Sequence, residues 1–344
     1  MYTLSKNSRI FLAAYKKAYP RFEKAAREAQ ELVKRALRDS VIPIHMIEAR
    51  AKSVDSLRGK LRRKRYRHPA RQVTDLVALR VITYFWQDVD RAAVELRSWL
   101  EISSRKSRDA RVELATNKFG YRSLNLIVRL QPGQAANPNY KTLRRRWFEI
   151  QIRSILDHAW SEIEHEVIYK AGIDYPIEVR RRFTAVAGAL EVLEHAFAGL
   201  TIERHRLIDK YKIEYAAGLA GDKKFDVARL LGFLESVFPS GLSWREAEKK
   251  GEPFAAGLAV AAVGALQLAQ LNNADRLHPI IRSARFRRFV KKFAALEGLA
   301  PEAVSHLALL VITIAVAQPR ILEEQFPEML FAPSLSWILE STKE

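Results

Sequence analysis

The chain has 344 residues, 48% of them hydrophobic, with 58 Lys and Arg against 39 Asp and Glu for a formal net charge of +19; this is a globular composition whose length suits two domains. No cysteine is present, which excludes a disulfide scaffold, thiolate-ligated zinc or iron–sulfur sites and cysteine catalysis. Residues 1–80 hold 21 Lys and Arg against 7 Asp and Glu, residues 81–170 hold 15 against 11, and the rest 22 against 21, so a field that attracts the phosphates of nucleotides or nucleic acid belongs to the N-terminal quarter.

The first residues lack an apolar core followed by a small-residue cleavage site, so a cytoplasmic address is expected. Residues 5–38 predict a helix with Ile10, Phe11, Ala14, Tyr15, Tyr19 and Phe22 on one side, kinked or broken at Pro20. A second helix is expected from near His45, carrying Arg50, Lys52, Ser56 and Lys60 at spacings that a phosphate ligand lying along it would reach. The basic run L-R-R-K-R-Y-R-H-P, residues 61–69, follows; such runs are as often solvated tails. Residues 75–85, D-L-V-A-L-R-V-I-T-Y-F, predict a buried strand after a cap at Thr74. Asp75 and Arg80 are five positions apart and would face opposite sides of a regular strand, so a turn is expected near Leu76 to Ala78.

Residues 88–100 predict an amphipathic helix capped by Asp88 or Asp90, with Val94, Leu96 and Trp99 inward. A basic loop (105–111), a short strand (112–115), the segment N-K-F-G-Y-R-S-L-N (117–125) and a strand at 124–130 come next. The Gly120–Tyr121 pair frees a ring to stack on a base, although a loop tyrosine by itself is more often simply packed. A loop over 131–140 returns the chain antiparallel into the next strand.

Within residues 147–170 the hydrophobic period changes from two to about 3.6. Phe148, Ile150 and Ile152 alternate with Glu149, Gln151 and Arg153, a polar row costly to bury without a ligand. Ile155, Ala159, Ile163 and Val167 then recur at helical spacing beside Asp157, His158, Glu162, Glu164 and His165. Alone, the stretch is equally a solvated edge strand and an ordinary amphipathic helix, and the His158, Glu162, His165 spacing arises often without a metal. A charged helix over 176–217, with a break near Gly199, and a boundary at 218–222 precede a wholly helical remainder. There the uncharged runs 254–272 and 306–318 are interrupted by glutamines or shorter than the ~20 residues of a span, so buried helices and no membrane association are expected.

D-L-V-A-L-R-V-I-T-Y-F (75–85), K-F-G-Y-R-S-L-N (118–125) and E-I-Q-I-R-S-I-L-D-H-A-W-S-E-I-E-H-E-V-I-Y-K (149–170), in this order, resemble the synthetase domain of the RelA/SpoT family of nucleotide pyrophosphokinases, which make ppGpp and pppGpp. A-R-A-K-S-V-D-S-L-R-G-K (49–60) is similar to the family's ATP-binding segment. The resemblance covers residues 5–215 and implies an α/β (α+β) fold, a mixed sheet flanked by helices of the nucleotidyltransferase type. The domains expected are a synthetase domain over 1–217 and an all-helical domain over 222–344. It also implies transfer of pyrophosphate from ATP to the 3'-hydroxyl of GDP or GTP. Asp75 and Glu149 would hold Mg2+ and, with Arg80, carry catalysis. Arg50, Lys52, Ser56, Lys60 and Arg80 would bind ATP, and Lys118, Tyr121, Arg122, Gln151, His158 and Glu164 the acceptor. Glu149 is the candidate proton acceptor.

Asn125 stands where the family often has His, which leaves guanine preference open, and no His-Asp dipeptide marks a hydrolase domain. An alternative keeps the chemistry but takes the tRNA 3' end as acceptor, as in toxic small members of the family, with residues 222–344 as a neutralising or sensing module. A third reading, an RNA-binding module without catalysis, is opposed by the joint presence of Asp75, Arg80, Tyr121 and Glu149. Related short synthetases assemble through a helix like that after Pro176, so a homo-oligomer is expected.

Overall fold

In the computed structural model the first element is a 33-residue helix, α1 (Lys6–Arg38), which continues through Pro20. Tyr15, Phe22, Ala26, Ala29 and Val33 are buried on both sides of the proline, and that packing offsets the roughly 3 kcal/mol a mid-helix proline costs. The structure describes residues 4–38, 40, 42–113, 119–120, 122–169, 176–238 and 254–325. The chain divides into two compact units, Met1–Ala198 and Gly199–Glu344, a division earlier than the turn at 218–222 taken from the sequence.

The first unit is built on a mixed six-stranded sheet: β1 (Ile44–Ala51), β2 (Val77–Thr83), β3 (Leu100–Ile102), β4 (Arg108–Asp109), β5 (Leu124–Leu130) and β6 (Phe148–Ser154). Its order is β1-β2-β6-β5-β3, with β4 also on β5. β2 and β6 run parallel, while β1 is antiparallel to β2 and β5 to β6. Val77, Leu79, Val81, Phe148, Ile150 and Ile152 form one core with the inner face of α1 and with Val89, Ala92 and Leu96 of helix α4 (Gln87–Arg97).

Several local expectations are corrected. Residues 44–51 form a strand: Ile47, Ala49 and Ala51 pack on the core while Glu48 and Arg50 face out, and pairing with β2 overrides the helical propensity of Glu, Ala and Arg. The helix α2 (Val54–Lys64) starts only after this strand, at Ser53, whose side chain accepts from the Ser56 N–H. α4 has no side-chain cap, and Val94 faces solvent.

Of the strand expected at 112–115, residues 112 and 113 are instead helical, in α5 (Ala110–Glu113), and 114–115 lie outside the described residues. The Asp109 carboxylate accepts from the Arg111 backbone N–H at 3.0 Å, and Arg111 bonds both Asp109 and Asp90, a side-chain turn that bends the chain out of extension. Between the short helix α3 (Pro69–Gln72) and β2, Val73 is extended and the chain bends at Leu76, within the turn foreseen. The loop before β6 contains the one-turn helix α6 (Pro132–Ala135) and a 3-10 turn, each opened by a proline.

Helix α7 (Ile155–Glu164) continues as a π-helical turn, His165–Tyr169. It buries Trp160, not the expected stripe: Ile163 and Val167 are exposed. Helix α8 (Ile177–Ala216) has no break at Gly199, and it is the one described helix long and apolar enough to cross a membrane by length and composition. In the second unit it is followed by α9 (Val227–Val237), α10 (Phe254–Leu268), α11 (Ala274–Ile281), α12 (Ala284–Leu296), α13 (His306–Ala317) and α14 (Pro319–Gln325). Asp226, Asn273, Ser283 and Ser305 cap α9, α11, α12 and α13, and Phe225, Phe233, Leu266, Phe286, Phe289 and Ile312 form a core. The uncharged runs of α10 and α13 contribute their Ala and Leu side chains to that core.

Candidate functional site

Strand register sets the site. Side chains directly opposite on neighbouring strands share a face, and two cross-strand rows result. One is Arg50, Ala78, Glu149 and Ile127; the next is Glu48, Arg80, Gln151 and Asn125. Glu48, Arg50, Ala78, Arg80 and Gln151 line a cleft of about 340 Å³ on this face. Ala78 contributes only a methyl between the arginine and the glutamate, so the cleft has a shallow floor where flat or anionic groups can approach the backbone.

At the start of β2, Asp75 is 8% exposed. Its Oδ2 accepts from the Lys60 ammonium at 2.7 Å and the Lys52 ammonium at 2.9 Å. Burial works to raise its carboxyl, but hydrogen bonds and charge from Lys60 and Lys52 prevail and hold it below the usual carboxylate range. Asp75 Oδ1 is buried without a hydrogen-bond partner. The Tyr15 hydroxyl donates to the Lys52 carbonyl at 2.6 Å, and the Lys52 N–H donates to the Leu76 carbonyl at 2.9 Å, so α1 and the bend before β2 both hold the lysine's backbone. The Ser53 and Ser56 hydroxyls are 2.8 Å apart at the N-terminus of α2, an end that favours anions.

Along β6, the Gln151 amide donates to Glu149 at 3.1 Å and Arg153 donates to the Gln151 carbonyl oxygen at 3.0 Å. Facing them from α7, Glu162 pairs with Arg80 at 3.0 Å and lies 4.0 Å from His158 Nδ1. Burial, then the cations Arg153 and Arg80, lowers the His158 pKa, while burial raises that of Glu164. The imidazole is therefore neutral at pH 7 and free to accept or donate one hydrogen bond. Arg122 pairs with Glu191 of α8 at 3.3 Å, an engagement away from the two rows.

The structure thus joins Arg50, Arg80, Glu149 and Gln151 on one face, gathers Lys52 and Lys60 on Asp75, and puts His158 beside Glu162 opposite Arg80. Lys118 and Tyr121 lie outside the described residues. The sequence reading missed Glu48 as a cleft residue and Glu162 as the partner of Arg80; reading 44–51 as a strand would have revealed Glu48, two positions from Arg50. Among the described residues no cluster of three or more His, Cys, Asp or Glu suits a metal, so His158, Glu162 and His165 do not form one.

Residues 49–174 match the family model described as the region found in RelA / SpoT proteins. The GTP pyrophosphokinase YjbM of Bacillus subtilis (strain 168) is 30% identical over 157 residues, 45% of this chain and 71% of that protein. The GTP pyrophosphokinase YwaC of the same organism is 27% identical over 165 residues, 47% and 75% of the respective chains. Among solved structures, small alarmone synthetase 1 from Bacillus subtilis is similar with 22% identity and a TM-score of 0.46, covering 56% of this chain and 99% of that one.

Proposed function

The chain belongs to the RelA/SpoT family of GTP pyrophosphokinases, and from that premise we propose that it transfers the β,γ-pyrophosphate of ATP to the ribose 3'-hydroxyl of GDP or GTP. The 3'-oxygen attacks the β-phosphorus, the bond from that phosphorus to the α,β-bridging oxygen breaks, AMP leaves, and the hydroxyl proton passes to a base for which Glu149 is the candidate. The observations that support this reading are the Arg50–Ala78–Glu149 row across β1, β2 and β6 and, just before β2, a buried Asp75 held by two ammoniums.

Arg50 and Arg80 flank the adenine over Ala78, while Lys52, Lys60, Ser56 and the α2 N-terminus take the phosphates, trading the lysines' contact with Asp75 for contact with the donor. Gln151, His158 and Glu164 contact the acceptor nucleotide, with Lys118 and Tyr121 as further candidate contacts, while Arg122 would reach it only by leaving Glu191. The residues fit a hard divalent cation, because Asp75 Oδ1 is buried without a partner and carboxylate oxygens are the ligands Mg2+ takes. Asp75 and Glu149 would hold Mg2+, which supplies neutralisation of charge on the non-bridging phosphate oxygens.

The charge segregated into residues 1–80 favours a second acceptor for the same chemistry, the 3'-terminal adenosine of tRNA, with the helical C-terminal region as a neutralising or sensing module. ATP labelled in its γ-phosphate, incubated with protein, Mg2+ and GDP, GTP or bulk tRNA in parallel, decides. Label in a guanosine 3'-diphosphate supports the first acceptor, label in tRNA alone the second, and label in none rejects the chemistry. Val186, Val192, Leu193 and Phe197 are exposed along α8, which supports a homo-oligomer through that helix.

A further inference from the structure

The C-terminal unit is near charge balance, yet its cations are not evenly spread. Between Asp275 and Glu297 the chain has Arg276, Arg282, Arg285, Arg287, Arg288, Lys291 and Lys292 and no acidic residue. Six of the seven lie on α12 or at its entrance, and all seven are exposed. Elsewhere in the same unit bases meet acids: Lys212 with Glu235 at 3.6 Å, and Arg229 with both Glu214 and Asp226 at 3.7 Å. Arg282, Arg285, Arg288 and Lys291 have no such ion pair among the described residues. Arg285, Arg288 and Lys291 recur at every third position of α12, so they wind across about 120° of its exposed surface while rising roughly 9 Å, and Arg282 stands just before the helix.

The opposite face of α12 is fully committed. Phe286, Phe289 and Phe293 are 3%, 2% and 8% exposed in the bundle core, so no apolar face is left to enter a bilayer, as an interfacial helix requires. A broad exposed face of cations, mostly guanidiniums, that repel one another in the free protein suits a partner with repeated anions in water. Arginine's planar donors match phosphate oxygens in pairs.

We propose that the exposed face of α12 is a docking surface for the phosphodiester backbone of a nucleic-acid strand. The inference does not rest on the pyrophosphokinase reading, and binding tests it without turnover.

The full chain and an Arg285→Gln, Arg288→Gln, Lys291→Gln variant, whose glutamines keep helix propensity, are titrated into fluorescent single-stranded RNA at several salt concentrations. Each phosphate contact contributes about 0.7 to the slope of log affinity against log salt for a single strand, so the variant's slope should be shallower by about two. A control that removes Lys210, Lys223 and Lys224 in the same unit should keep the wild-type slope, and circular dichroism should show all three proteins equally helical. Equal slopes for wild type and variant overturn the proposal. So does an equal change in the control, which would mark a response to net charge alone. Loss in the variant of binding to polyglutamate or to phosphatidylserine vesicles, with RNA binding unchanged, also overturns it in favour of an acidic protein or a membrane.

Discussion

Asp75 is both a buried ion partner and the proposed metal ligand, and those two roles make separable predictions. Asp75→Asn leaves the Lys52 and Lys60 ammoniums, 17% and 23% exposed, beside a neutral amide. Breaking a buried pair in this way costs about 3–5 kcal/mol, discounted here because both lysines retain some solvent. Glu149→Gln faces no such penalty, since its recorded partner is the neutral Gln151 amide. Both substitutions should lower kcat by about three powers of ten or more, but only Asp75→Asn should also shift the urea midpoint.

Ala78→Leu puts three further carbons on the cleft floor between Arg50 and Glu149; KM for ATP should rise at least about tenfold while thermal stability changes little, because Ala78 faces the cleft and not the core. A KM at the wild-type value would remove the adenine from that floor.

A third residue ties stability to pH. Burial raises the Asp157 carboxyl to about 6; Arg122 opposes this and Glu194 adds to it. Since the folded pKa lies above the unfolded value near 4, the group carries no penalty below about pH 4 and its full penalty above about pH 6, at most roughly 3 kcal/mol. Asp157→Asn should therefore raise Tm at pH 8 and leave it unchanged at pH 4, a difference that melts across this range would reveal or refute.

At the scale of elements, α7 is anchored at its first turn. Ser154 caps it and also donates to Glu194 of α8, which accepts from the Trp86 N–H at 3.2 Å as well. That junction orients the helix carrying His158, Glu162 and Glu164, so the placement of Glu162 against Arg80 depends on α8. In the second unit, α8 and α9 cross at Gly232, where an added Cβ would lie 2.8 Å from Tyr211 Cβ and 2.9 Å from both the Ile208 carbonyl oxygen and the Lys212 nitrogen. Two of those atoms are backbone and cannot rotate away, so Gly232→Ala should destabilise the unit by about 1–3 kcal/mol. Gly199→Ala, with nothing within 4 Å, should stabilise by about 0.5–1 kcal/mol. Denaturant midpoints of the two variants moving in the same direction would contradict this crossing.

For the whole molecule, the exposed apolar side chains on α8 predict self-association. Val192 and Phe197, 68% and 48% exposed, changed together to Lys should convert a larger species to monomer in multi-angle light scattering; a wild-type monomer at micromolar concentration would end the oligomer reading. The sequence by itself determined the long periodic elements and the helical second unit, because periodicity is a local property, and it supplied the acidic and basic residues proposed for the site. It misread residues 44–51, whose Glu, Ala and Arg favour a helix until β2 supplies hydrogen bonds across a bulge between Ile44 and Met46. It placed Ile163 and Val167 on one helical stripe but left open whether that stripe finds a neighbour, and both are exposed, because helical spacing says which residues share a face and not which face is covered. Only the tertiary structure decided that Arg50 and Glu149 share a row, that Lys52 and Lys60 meet on Asp75, and that Glu162 reaches Arg80. Those distances depend on strand register and helix docking, which are set by hydrogen bonds and packing between segments far apart in the chain.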